Sequence, residues 1–205
     1  MAPVIDFWFE FASTYSYPAA MRTEALAARR GVAVHWRPFL LGPIFAGQGL
    51  KESPFNLYPV KGAYMWRDVE RICASLDLPF RKPDVFPQNG LLGARVATAL
   101  DDATRPAFVR ALYTAEFANG ATIADVAVVE AVLHSLGIGA GPVLARANGD
   151  EVKSALRASV DEAIALSVFG APAFTTLDGE LFWGNDRLEQ ALDWALAAAG
   201  ERAGP

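Results

Sequence analysis

Ser13 and Ser16 stand three residues apart in Ser13-Thr14-Tyr15-Ser16, after the apolar run Val4–Phe11 and ahead of the alanine-rich run Ala19–Arg30. A group at a helix start faces unsatisfied N–H groups and about half a positive charge, so an anion is stabilised there. A serine in that place has two readings. It is a preferred helix cap. Its hydroxyl also donates one hydrogen bond, and an external thiolate accepting that bond is held ionised at lower pH.

Other residues offer complementary chemistry. Lys61 begins a helical stretch, where the dipole disfavours a cation and an anionic partner offsets the cost. Asn185 and Asp186 open the last helical run, either as cap and first-turn residues or as partners for ammonium and carboxylate groups. Asn56, in Ser53-Pro54-Phe55-Asn56, has an amide for a ligand or for an Asx turn. Arg67 is a cation for a carboxylate and Asp68 pairs with a neighbour. Pro172 reads by pattern as a turn or strand-start proline. Phe39, Phe45, Phe55 and Tyr58 supply aromatic faces for a flat ring or for the core. Cys73 is the only cysteine, and His35 and His134 are the only histidines. Intramolecular disulfides, Cys-x-x-Cys chemistry and thiolate metal clusters are therefore excluded, and no metal site is expected. Cys73 lies beside Ile72 and Leu76 on a helix and reads as a structural thiol.

The elements that position these groups follow from periodicity. Val4–Phe11 reads as a largely buried strand and Ala19–Arg30 as a helix stopped by Gly31. Val32–Arg37 alternates Val32, Val34 and Trp36 and reads as a second strand, parallel to the first. Pro38 to Val60, with four prolines and three glycines, reads as a long ordered loop. From Lys61 the period turns helical. Met65, Val69, Ile72 and Leu76 share one face, as do Phe108, Leu112 and Ala115. Val126, Val129, Leu133 and Leu136 follow a Thr122-x-x-Asp125 capping pattern, and Leu156, Val160 and Ala163 mark another helix. Ala173–Leu177 and Leu181–Trp183 read as a hairpin through Asp178-Gly179, followed by an amphipathic helix over Asp186–Ala198. Pro18 requires the first helix to start later than Thr14 or to carry a distorted first turn.

The 205 residues are 53% hydrophobic and 20% charged with a net charge of −5, which excludes a disordered chain and offers no general attraction to nucleic acid or anionic membrane. No apolar stretch reaches the ~18 residues of a membrane span, and no signal-peptide pattern precedes Val4. The expected compartment is the cytoplasm.

The order β-α-β, helical insert, β-β-α resembles an α/β thioredoxin-like fold with an inserted all-helical domain. Its expected divisions are residues 1–60 and 169–205 for the thioredoxin-like parts and 61–168 for the insertion. Four segments narrow the resemblance. Asp6-Phe7-Trp8-Phe9-Glu10-Phe11 leads into Ser13-Thr14-Tyr15-Ser16, where DsbA-like oxidoreductases carry Cys-x-x-Cys. Phe169-Gly170-Ala171-Pro172-Ala173-Phe174 is similar to their cis-proline segment. Pro59-Val60-Lys61-Gly62-Ala63-Tyr64-Met65-Trp66-Arg67-Asp68 and Phe182-Trp183-Gly184-Asn185-Asp186-Arg187-Leu188 complete the set. Together, over nearly the whole chain, they resemble the 2-hydroxychromene-2-carboxylate isomerases, relatives of kappa-class glutathione transferases.

The resemblance implies a homodimer that uses glutathione to interconvert a 2-hydroxychromene-2-carboxylate and trans-o-hydroxybenzylidenepyruvate. Transient thiolate addition would turn a double bond into a rotatable single bond. It implies that Ser13 activates the thiol and that Ala171, before a cis Pro172, pairs its backbone with the cysteinyl part of glutathione. Asn185 and Asp186 would take the γ-glutamyl end, Lys61 a carboxylate and Asn56 an amide contact. Trp183 and Gly184 would shape the approach, with Tyr64 and Arg67 facing a small aromatic carboxylate. Two rivals share the frame: a kappa-type glutathione transferase or peroxidase, and a non-catalytic DsbA-like binding protein.

Overall fold

The computed structural model of the chain describes residues 2–201. Four strands form one mixed sheet in the order β2-β1-β3-β4. Strand β1 (Val4–Phe9) is parallel to β2 (Ala33–Pro38), with Phe7 opposite Trp36. It is antiparallel to β3 (Ala173–Thr176), with Phe7 opposite Phe174, and β3 pairs antiparallel with β4 (Leu181–Trp183). A strand with neighbours on both sides and layers above and below must be apolar on both faces, which is why Phe7, Trp8 and Phe9 follow one another. Ile5, Phe7 and Phe9 pack with Ala19 and Ala20 of helix α1 (Ser16–Arg30) and with Leu188 and Leu192 of the last helix, α10 (Leu188–Glu201). Trp8 faces the other way, against Phe39, Ile44, Val160 and Ala163.

The first strand is shorter than its apolar run. The chain turns after Phe9, and the Ser13 N–H donates to the Glu10 carbonyl at 2.9 Å. Phe11 continues the run because it is buried against Tyr113, ring centres 5.1 Å apart, although it is outside the ladder. Helix α1 starts at Ser16, so Pro18 is its third residue. The N–H that proline lacks there is one of the four that a helix leaves unsatisfied, and the helix starts later than Thr14.

The expected loop from Pro38 to Val60 is a correction. It holds helix α2 (Leu41–Gly47) and the single turn α3 (Pro54–Leu57), and α4 (Pro59–Ser75) starts before Lys61. Its prolines start helices. Pro54 and Pro59 are first helical residues and Pro43 is the third of α2, where the missing N–H costs nothing. Helices α5 (Leu91–Ala99), α6 (Arg105–Phe117), α7 (Val126–Ser135), α8 (Ala140–Ala147) and α9 (Asp150–Ala165) follow. Asp125 alone caps α7, accepting from Ala127 N–H, and Thr122 lies outside that cap. Residues 76–90 between α4 and α5 are not helical. Met65 and Val69 of α4, Phe108 of α6 and Leu133 of α7 join the same core as Ile5 and Phe7, so the helical insertion and this face of the sheet share one interior. This is a thioredoxin-like fold with a helical insertion.

Candidate functional site

Ser13 lies in the turn between β1 and α1, buried to 8% exposure. Its hydroxyl donates to the Ala171 carbonyl at 2.8 Å and accepts the Ser16 N–H at 3.3 Å. The formal N-cap of α1 is Tyr15, which offers no side-chain bond. Ser13 therefore ties down the helix start from outside it, with a lone pair, while its single proton points to the far segment. The Ala171–Pro172 bond is cis, and so is Phe86–Pro87, for which the sequence offers no signal. The Pro172 carbonyl accepts Gly184 N–H at 2.9 Å, and the Ala171 N–H has no hydrogen bond among the described residues.

Two adjoining cavities open at this contact. One, of about 220 Å³, is lined by Ala12, Ser13, Phe45, Phe86 and Phe169 among others. The second, about 470 Å³, runs from Tyr15, Tyr64, Asp68 and Ile72 to Pro172, Gly184, Asn185 and Asp186. Phe55, Lys61, Ala171 and Trp183 line both.

Charge is distributed unevenly over these walls. Lys61, on the first turn of α4, makes no ion pair among the described residues; its Nζ lies 5.6 Å from the Phe55 ring centre. Asp68 is committed, accepting the Tyr15 hydroxyl at 3.0 Å and pairing with Arg71 at 3.2 Å. Burial first, then the Asp68 carboxylate, push the Tyr15 hydroxyl well above the ordinary phenol range. Asp186 is 71% exposed and 3.6 Å from Arg187. Asn185 is buried with its Oδ1 unpartnered. Its turn, a single 3-10 turn ahead of α10, is pinned from α1, where Arg22 donates to the Asn185 carbonyl at 2.8 Å and pairs with Glu189 at 2.7 Å. Gly184 enters that turn at φ 119°, a region side chains disfavour. Trp183 packs at a tilt against Phe169, ring centres 4.9 Å apart and ring planes 55° apart.

Most of the residues singled out from sequence therefore converge: Ser13, Lys61, Tyr64, Ala171, Pro172, Trp183, Gly184, Asn185 and Asp186 all line the paired cavities. Two do not. Asn56 sits inside α3, with its amide on Glu52 at 3.2 Å, because Ser53 is the residue that caps that turn. Arg67 pairs with Glu70 at 2.9 Å on the exposed side of α4 and lines neither cavity. Of the four aromatics, Phe45 and Phe55 line cavity walls, Phe39 is fully buried and Tyr58 is exposed. Tyr15, Asp68, Ile72, Phe86 and Phe169 were not foreseen as lining. For α4 the signal was available, since 61, 64, 68 and 72 share one helix face, next to the buried Met65, Val69 and Cys73.

A third cavity, about 480 Å³, adjoins the smaller one through Ala12, Leu41, Phe45 and Ser53, and Glu10 lines it. Burial raises the Glu10 carboxyl from 4.5 to about 7, opposed by a hydrogen bond from Ala12 N–H. Cys73 is buried in the core, where burial pushes its thiol up to about 11, and is unsuited to thiol exchange. Among the described residues no cluster suits a metal ion, and no helix is long and apolar enough to cross a membrane.

Comparison with known proteins identifies the family of the chain. The profile of the DSBA-like thioredoxin domain family matches residues 4–194. A 2-hydroxychromene-2-carboxylate isomerase of Sphingobium xenophagum is 30% identical over 191 residues, 92% of this chain and 96% of its own. A glutathione S-transferase kappa 1 of Caenorhabditis elegans is 24% identical, over 93% of this chain and 90% of its own. Among solved structures, a 2-hydroxychromene-2-carboxylate isomerase superposes with a TM-score of 0.85 at 22% identity, covering 98% of this chain and 100% of that one.

Proposed function

Because the chain belongs to the DSBA-like thioredoxin domain family and, within it, to the 2-hydroxychromene-2-carboxylate isomerases, we propose that it is a glutathione-dependent isomerase. Its reaction interconverts a 2-hydroxychromene-2-carboxylate, or a close relative from aromatic degradation, with the open trans-o-hydroxybenzylidenepyruvate. The observation that carries this reading is the Ser13 hydroxyl, buried at the junction of two cavities in a chain whose one cysteine lies in the core.

The residues present fit glutathione. Its ammonium and two carboxylates need an acceptor and cations, and its peptide backbone needs a strand-like partner. Lys61, which makes no ion pair among the described residues, is a cation for a carboxylate. Asn185 Oδ1 is a buried acceptor lacking a donor, and the exposed Asp186 carboxylate lies beside it for the ammonium. The Ala171 N–H is open to an extended peptide, as one rung of strand pairing. When bound, glutathione supplies the sulfur nucleophile.

Ser13 has one proton, and it is on the Ala171 carbonyl. A neutral hydrogen bond contributes about 0.5–1.5 kcal/mol and one to a charged acceptor about 1.5–3 kcal/mol, so a thiolate outcompetes the carbonyl for it. The Ser16 N–H meanwhile keeps the serine oxygen in place. Phe45, Phe55, Phe86, Phe169 and Trp183 exclude water around this donor and give a flat substrate its faces. Reduced glutathione is a cytosolic thiol, so this reading takes the protein as cytoplasmic, and with it as a homodimer.

The test is an ultraviolet assay of the purified protein on the chromene with and without glutathione. We expect approach to equilibrium that requires glutathione and consumes none. Loss of thiol during turnover would mark a transferase instead, and glutathione binding without turnover a binding protein.

A further inference from the structure

We propose that Glu10 is the acid–base group of ring opening in that isomerisation. Its carboxylate takes the proton of the substrate's 2-hydroxyl, and the carboxylic acid so formed returns it to the ring oxygen. The inference rests on the isomerase reading above and adds a step that Ser13 does not serve.

The chemistry of a 2-hydroxychromene requires such a group. Its hydroxyl and its ring oxygen sit on the same carbon. Opening breaks the ring carbon–oxygen bond, makes the ketone from the carbon bearing the hydroxyl, and moves one proton from the hydroxyl oxygen to the phenol oxygen. Nothing is oxidised or reduced, and the base that takes the proton is regenerated when it gives the proton back. The group must hold both protonation states near neutral pH, and such transfer is worth about 10²–10⁴ in rate.

Glu10 has the placement. Its backbone is clamped, because its carbonyl accepts both the Ser13 N–H at 2.9 Å and the Tyr113 hydroxyl at 2.8 Å. The residue is only 7% exposed, yet it lines the third cavity, whose shared wall with the Ser13 cavity includes Phe45. Gly90 lines that cavity too, and a Cβ there would stand 2.8 Å from Glu10 Oε1. A side chain at position 90 would collide with that oxygen, so the glycine leaves room for the carboxyl.

The two ionisable groups of α6 packed near Glu10 stay protonated. From α6, Glu116 is fully buried with both carboxyl oxygens unpartnered; burial and then the Glu10 charge keep it protonated. Tyr113, also from α6, stays protonated for the same reasons. Lys51 and Glu52 line the cavity from the segment before α3. Burial brings Glu10 itself to about 7, where acid and base forms coexist.

The test compares wild type with Glu10→Gln and Glu10→Asp, measuring turnover of the chromene against pH, the solvent isotope effect, and glutathione affinity by calorimetry. Wild type should lose kcat as pH falls below about 7. Glu10→Gln should bind glutathione with unchanged affinity and lose kcat by about 10²-fold or more, along with the acid limb and the isotope effect. Glu10→Asp should keep the limb with partial activity. A Glu10→Gln variant that binds glutathione and turns over with the wild-type profile overturns the assignment and leaves the isomerase reading standing. Absence of turnover by wild type overturns both.

Discussion

Ser13 and Ala171 are 158 residues apart in sequence and joined by one hydrogen bond of 2.8 Å, from the serine hydroxyl to the alanine carbonyl. That bond closes the β1–α1 turn onto the cis-proline segment and aims the serine's only proton at the seam between the two cavities. The same oxygen accepts the Ser16 N–H, so the residue both anchors a helix and presents a donor.

Ser13→Ala should separate these two roles. Losing the anchor and the cross-link should cost about 1–2 kcal/mol in urea unfolding. Losing the donor should raise the pKa of bound glutathione by about one to two units, the equivalent of one charge-assisted bond. Thiolate absorbance of the complex against pH measures it. Identical titration curves in the two proteins would leave Ser13 as an anchor only.

Lys61→Ala should weaken glutathione by about tenfold or more while leaving stability within about 0.5 kcal/mol. The ammonium has no ion-pair partner to lose among the described residues, and an exposed side chain contributes little to folding. Calorimetric titration beside thermal unfolding checks both halves. Unchanged affinity would remove Lys61 from the binding wall.

Arg22→Met should lower affinity without touching the cavity. Arg22 holds the Asn185 carbonyl and Glu189 together, so its loss frees the turn that carries Asn185 and Asp186. A several-fold rise in Kd is expected, together with faster amide exchange confined to residues 184–189. Exchange that stays unchanged would mean the turn is held by its own backbone.

Stability should fall as pH rises from about 4.5 to about 7. Over that span the folded state keeps the Glu10 proton that the unfolded chain releases, so the unfolded state binds fewer protons and the slope is negative. At about 1.4 kcal/mol per pH unit the Glu10 contribution is about 3 kcal/mol, fully lost above the folded value. Glu116 adds a slope of the same sign and continues it further. Urea unfolding at pH 5, 6, 7 and 8 should show Glu10→Gln with the shallower dependence up to pH 7. Parallel curves would place the Glu10 carboxyl in contact with water.

The sequence by itself determined the frame, because apolar periodicity reports which faces are buried. The central strand, both flanking strand signals, the Gly31 stop and the helical middle are all local patterns, and the fold follows from their order. It also excluded dithiol chemistry, since a chain with one cysteine has no partner for it. Prolines misled over residues 38–60: a proline breaks a helix inside and starts one at its first turn, and only the register of the turns tells which. The order of four short segments was enough to bring Ser13, Lys61, Ala171 and Asp186 under one reading. Helix periodicity already puts Lys61 and Arg67, six residues apart, on different faces of α4; only the tertiary structure decided which face lines the cavity. It alone set Asn56 on Glu52 and put Glu116 under the influence of Glu10, 106 positions away. Whether a polar side chain faces a cavity, a neighbour or solvent depends on the packing of distant segments, and no local pattern encodes that.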